Sequence, residues 1–227
     1  MLSGILSLII IVLLLPVPYN AICQTVNIPV ADTVLSTLHT SHPRLMMNES
    51  GLEHIKLRQK SDATLRKYVR DVMKKADDYC LKPALSYEAR EGYRLIFVSR
   101  ECMHRMYTLG MAWRLTGDEK YARKAQDDLL AVCALENWRP SLAIIYPNEP
   151  KYKNNPQYGS RPPFSFLDVS EMTHAVGIGY DWFYSYMSPE TRETIKSGLI
   201  RHGLDEGVIA YTGKGSPSGQ PAEGVSY

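Results

Sequence analysis

The stretch from Leu167 to Met187 limits the fold more than any other feature. Val169, Met172, Ala175, Val176, Ile178, Tyr180, Trp182, Phe183, Tyr184, Tyr186 and Met187 fall all around a helical wheel. A helix that is apolar on nearly every side must be enclosed by other helices. The next stretch differs. Ser188-Pro189-Glu190 supplies an N-cap, a first-turn proline and an early acid. Arg192, Glu193, Lys196, Arg201, Asp205 and Glu206 then give an amphipathic helix reaching about Tyr211. An inner helix followed by an outer one reads as an αα-hairpin in a concentric arrangement.

A second hairpin reads from 92 to 135. Leu95, Val98, Cys102, Met106, Leu109, Ala112 and Trp113 form one stripe, and Tyr121, Ala122, Ala125, Leu129 and Cys133 another. Between them Thr116-Gly117-Asp118 ends one helix on a glycine and starts the next on an N-cap aspartate. Upstream, Ser50-Gly51-Leu52-Glu53 reads as a capping box for a short helix to about Lys60. Leu65, Val69, Val72, Met73, Ala76 and Cys80 predict a helix over 62–80. Gln24 to His42 reads as an extended lead-in. Arg139 to Ser165, with six prolines and no period, reads as a long loop. No run shows strand alternation, so the expectation is an all-α chain, an incomplete α/α toroid of antiparallel helical hairpins.

Ile5 to Leu15 is an apolar run too short to span a bilayer and suits an export signal. Ala21 and Cys23 place small residues at −3 and −1 of a cleavage site before Gln24. A lipidated Cys23 and an uncleaved anchor are the other readings. The expected divisions are a signal peptide over 1–23, a lead-in over 24–41, the toroid part over 42–211, and a flexible end over 212–227 read as a truncation. Export to the periplasm or beyond follows, with the membrane met only through the signal. A net charge of +2 on 227 residues gives no case for nucleic acid. Cys80, Cys102 and Cys133 read as buried free thiols, with no zinc spacing around them.

His42-Pro43-Arg44-Leu45, then Tyr107-Thr108-Leu109 with Trp113 to Tyr121, and above all Phe166 to Ala175 through Gly179-Tyr180-Asp181-Trp182 resemble the heparinase II/III-like polysaccharide lyases. The resemblance implies an N-terminal incomplete α/α toroid, a C-terminal β-sandwich, export, and cleavage of uronic-acid polysaccharides by β-elimination. The chain departs from that pattern after Tyr211, where the Asn-rich, Trp-containing segment of such proteins is replaced by Thr212-Gly213-Lys214-Gly215-Ser216-Pro217. The resemblance therefore implies that much of the catalytic set lies downstream, and that these 227 residues alone are inactive.

β-Elimination needs a neutralised carboxylate, a base, and an acid for the leaving oxygen. His174 and Glu171, one turn apart, are the candidate catalytic groups; a core histidine is the other reading of His174. Glu-x-x-His also occurs in di-iron bundles, but no second copy is present, so no metal and no cofactor are expected. Arg94, Arg100, Trp138, Tyr180 and Trp182 are the candidate binders of an acidic polysaccharide. For the two arginines an ion-paired face stands as the alternative, and for the aromatics core packing or an ordinary surface loop. Trp138 with Arg139, Tyr146, Tyr152 and Tyr158 would form a cleft rim. Asp168 and Ser170 read as N-caps. Two other functions stay open: a toroidal glycoside hydrolase using Asp168 or Glu171 with Asp181, and a non-catalytic carbohydrate-binding protein.

Overall fold

The computed structural model describes residues 30–87, 95–138 and 165–212. Every regular element among them is helical. Residues up to Leu38 form one unit, and the main body begins at His39. The described part of the first unit holds a single turn, α1 (Ala31–Val34), where the sequence suggested an extended lead-in. Thr33 closes that turn locally, its hydroxyl donating to the Val30 carbonyl at 2.7 Å.

The body contains α2 (Glu49–Arg58), α3 (Ala63–Cys80), α4 (Ile96–Thr116), α5 (Glu119–Cys133), α6 (Ser165–Trp182), α7 (Pro189–Leu199), a π-helical segment (Ile200–Leu204) and α8 (Asp205–Thr212). Their ends follow side-chain chemistry. Asp62 caps α3 by accepting from the Thr64 and Leu65 amides, Asp118 caps α5, and Ser188 caps α7 ahead of Pro189. Gly117 ends α4 at φ 73°, the left-handed backbone that glycine adopts without a Cβ penalty. The start of α2 departs from expectation. Asn48, not Ser50, is the cap, because its side-chain oxygen accepts from the Gly51 amide at 3.0 Å and takes the Ser50 hydroxyl as well.

The hairpins α4–α5 and α6–α7 form as expected, with α6 ending at Trp182 and a turn covering 183–187. Helices α4 and α6 make the most extensive contact in the body. They run parallel, since Leu95 meets Asp168 and Tyr107 meets His174. Two glycines permit the close approach. A Cβ on Gly110 would stand 2.5 Å from Trp182 Cε3, and one on Gly179 would stand 2.7 Å from Met106 Sδ. The core between the hairpins includes Met106, Leu109, Leu129, Met172, Val176 and Phe183, all fully enclosed.

Buried charge fixes the stretch 82–87. Asp128, fully enclosed on α5, takes Arg105 Nη1, Lys124 Nζ and the Leu85 amide on its Oδ1, each at 3.0 Å. Arg105 and Lys124 also both donate to the Pro83 carbonyl. Buried charges persist only when paired in this manner. No helix among the described residues is long and apolar enough to cross a membrane. The expected signal (1–23) lies outside the described residues, as do the end after 212 and all of the expected loop (139–165) but Ser165, which opens α6.

Candidate functional site

Helix α6 is not enclosed on every side. Its circumference is buried except for one strip, where His174 is exposed and Glu171 half-buried. Parallel to it, α4 presents Arg100 and Tyr107 seven residues apart, hence on one face two turns on. The two strips meet. Arg100 grips Glu171 with both prongs of its fork, Nε to Oε2 at 3.0 Å and Nη2 to Oε1 at 3.2 Å. One turn further, the Tyr107 hydroxyl lies 2.8 Å from His174 Nε2; which of the two donates depends on the imidazole tautomer. Partial burial lifts the Tyr107 phenol above its ordinary value of 10.0, so it keeps its proton at neutral pH.

Trp182 backs this pair. Its indole stands edge-on to Tyr107, with ring centroids 5.5 Å apart. The Arg114 guanidinium lies 5.1 Å from the Trp182 ring, and Trp182 Nε1 donates to the Leu45 carbonyl at 3.0 Å. The segment around Leu45 is pinned in turn by Asp181. That buried carboxylate accepts from the Arg44 amide at 2.8 and 2.9 Å and the Leu45 amide at 2.8 Å, and meets His42 Nδ1 at 2.6 Å. His42 stacks on Tyr184 at 3.9 Å, and the Arg192 guanidinium lies 4.1 Å from the Tyr184 ring.

The expected site residues divide accordingly. Glu171, His174 and Arg100 share the exposed seam. Trp182 touches it from beneath as a buried support, not a free face for a sugar. Tyr180 is half-buried, edge-on to both Tyr184 and His42. Trp138 has to be corrected. It is fully enclosed, with Nε1 donating to the Val132 carbonyl at 2.8 Å and its ring against His202, because core packing satisfies both its apolar body and its one polar atom. Arg94 and the rim residues Arg139, Tyr146, Tyr152 and Tyr158 lie outside the described residues. Asp168 lies within the first turn of its helix, which begins at Ser165, and its carboxylate instead accepts the Leu95 amide at 3.1 Å just before α4. Ser170 donates to the Leu167 carbonyl within its own helix.

Tyr107 is the site residue that sequence reading missed. Its signals were the seven-residue spacing from Arg100 and its place at the head of the stretch 107–109, and its partner is 67 positions away. Among the described residues, no three His, Cys, Asp or Glu side chains gather as a metal centre would require. Compared with family models and with curated proteins, the chain finds no match.

Proposed function

We propose that this chain is the N-terminal part of an exported polysaccharide lyase that cleaves uronic-acid polymers by β-elimination. The observation that carries this reading is the exposed Tyr107–His174 pair at 2.8 Å. Tyrosine and histidine are the residue types that elimination next to a carboxylate uses for proton transfer. In this reading His174 Nε2 takes the proton from the carbon beside the carboxylate. The electron pair left there forms the carbon–carbon double bond as the bond to the glycosidic oxygen breaks. Tyr107, held protonated by its surroundings, gives its proton to that oxygen. Its hydrogen bond to His174 then returns the abstracted proton and restores both groups. The products are an unsaturated uronate and a shortened chain, with no water consumed.

Three further features support the reading. The parallel pair α4 and α6, each followed by an antiparallel partner, suits the inner and outer helices of an incomplete α/α toroid. Arg100 places positive charge on the seam for an acidic polysaccharide. The carboxylates that a glycoside hydrolase would need are committed elsewhere: Asp181 to the segment 42–45, Asp168 to the start of α4, and Glu171 to Arg100. Two free carboxyl groups facing one cavity are the requirement for hydrolysis.

The test is the ultraviolet absorbance of unsaturated uronate, measured with the complete gene product on hyaluronan, heparin and alginate. Tyr107→Phe and His174→Ala should each lower the rate about 100-fold or more. Shortened products without that absorbance would refute elimination in favour of hydrolysis. Binding with no cleavage of any of the three would favour the non-catalytic reading.

A further inference from the structure

The Arg100–Glu171 pair differs from the other arginine contacts that cross between elements of the body; Lys120 with Asp77 and Lys82 with Glu101 also pair side chain to side chain, but through a single ammonium. Arg105 and Lys124 also bond the Pro83 carbonyl, and Arg114 the Met47 carbonyl, so each of those cations fixes a backbone segment. Arg100 and Glu171 are hydrogen-bonded only to each other among the described residues. The pair joins two helices that a shared apolar core already holds together. It is also open to solvent, with the Arg100 side chain 51% and the Glu171 side chain 21% exposed. Such pairs contribute little to stability, so exchanging one carboxylate for another on the guanidinium costs little. The two-pronged contact is the one that a guanidinium makes with any planar carboxylate.

We propose that Glu171 is an internal stand-in for a substrate carboxylate, and that Arg100, once released from it, holds the acidic group of the sugar unit next to the one cleaved. This rests on the lyase reading of the seam. The register argues for the neighbouring unit. Glu171 precedes His174 by one helical turn, about 5–6 Å between Cβ atoms. The proton that His174 would take and that unit's own carboxylate sit on adjoining carbons, which is closer than a turn. The seam therefore selects polymers with acidic groups on successive or closely spaced units. Glu171 sets a threshold: its charge repels the polymer and occupies Arg100 until a polymer carboxylate displaces it.

The test is calorimetric titration of the full 227-residue chain with an alginate tri-uronate and with monomeric glucuronate. Glu171→Gln should bind the trimer about fivefold tighter, because it removes both the competitor and the repulsion. The gain for the monomer should be smaller, because its single carboxylate cannot occupy Arg100 while another unit lies at His174. Arg100→Gln should bind the trimer about tenfold more weakly, with a flatter dependence on salt. Both variants should melt close to the wild type, since the shared apolar core holds the two helices together without the pair. Trimer affinity that is unchanged or weakened in Glu171→Gln, while the wild type binds, would overturn this proposal and leave the lyase reading intact. A wild-type chain that binds no uronate, with a complete product that forms no unsaturated uronate, would overturn both.

Discussion

Gly110 and Gly177 both lie inside long helices, and replacing each with alanine should shift stability in opposite directions. In a helix interior alanine is better than glycine by about 0.8–1 kcal/mol. At Gly177 nothing lies within 4 Å of the new Cβ, so the gain stands alone. At Gly110 the new Cβ would meet Trp182 Cε3 at 2.5 Å, Cζ3 at 3.3 Å and Phe183 Cζ at 3.5 Å. The indole cannot swing aside freely, because Nε1 is bonded to the Leu45 carbonyl and Tyr107 stands at its edge. Overpacking of this kind costs about 1–3 kcal/mol, and the pinned ring places it in the upper half of that range. Gly110→Ala should therefore be net destabilising by about 1–2 kcal/mol and Gly177→Ala stabilising by up to about 1 kcal/mol. For a chain of this size those changes correspond to melting shifts of roughly 2–8 °C downward and up to about 2–4 °C upward. Thermal unfolding followed by circular dichroism reads both. A Gly110→Ala variant that melts at or above the wild type would show that Trp182 is not held as described, and the support of Tyr107 would fail with it.

Two more predictions concern buried charge. Asp128→Ala leaves Arg105 and Lys124 enclosed with only their Pro83 and Glu101 contacts, and should cost about 3 kcal/mol, near the low end for a broken buried pair. A urea midpoint within the error of the wild type would count against that network. His202, inside the π-helical segment, is held below its ordinary value of 6.5, first by burial and then by the Arg201 charge, against weaker opposing effects of the Cys133 backbone and Glu206. The unfolded chain thus binds a proton near pH 6.5 that the folded chain refuses, so stability falls as pH drops below about 6.5 and levels off beneath the folded value. His202→Asn should flatten the urea midpoint over pH 5–7; an unchanged pH profile would sink this assignment.

The pattern of the sequence revealed the hairpins because they are local. Gly117 and Asp118 mark a helix boundary whatever surrounds them, and so do Ser188 and Pro189. Partner choice across the fold was not legible. Asp168 looks like a cap for the helix that contains it, yet its carboxylate serves the Leu95 amide 73 positions earlier in the chain. Trp138 beside a proline-rich stretch suggests a rim, but the Val132 carbonyl six residues back gives its indole a buried partner. The π-helical segment at 200–204 has no period of its own, and its sequence reads as plain helix. Glycine at 203 coincides with it, where a Cβ would lie 2.4 Å from Thr173 Oγ1, so the crowding that shapes this turn comes from α6.

Three segments far apart along the chain meet in one place. They are 42–45, the stretch beginning at Tyr107, and 166–182. In the fold they form one relay of contacts. Asp181 holds the amides of Arg44 and Leu45, the Leu45 carbonyl holds Trp182, Trp182 stands against Tyr107, and Tyr107 bonds His174. Each link is individually modest, a hydrogen bond contributing about 1 kcal/mol and an aromatic edge contact no more. Together they set the position of one phenol and one imidazole on an otherwise buried helix pair.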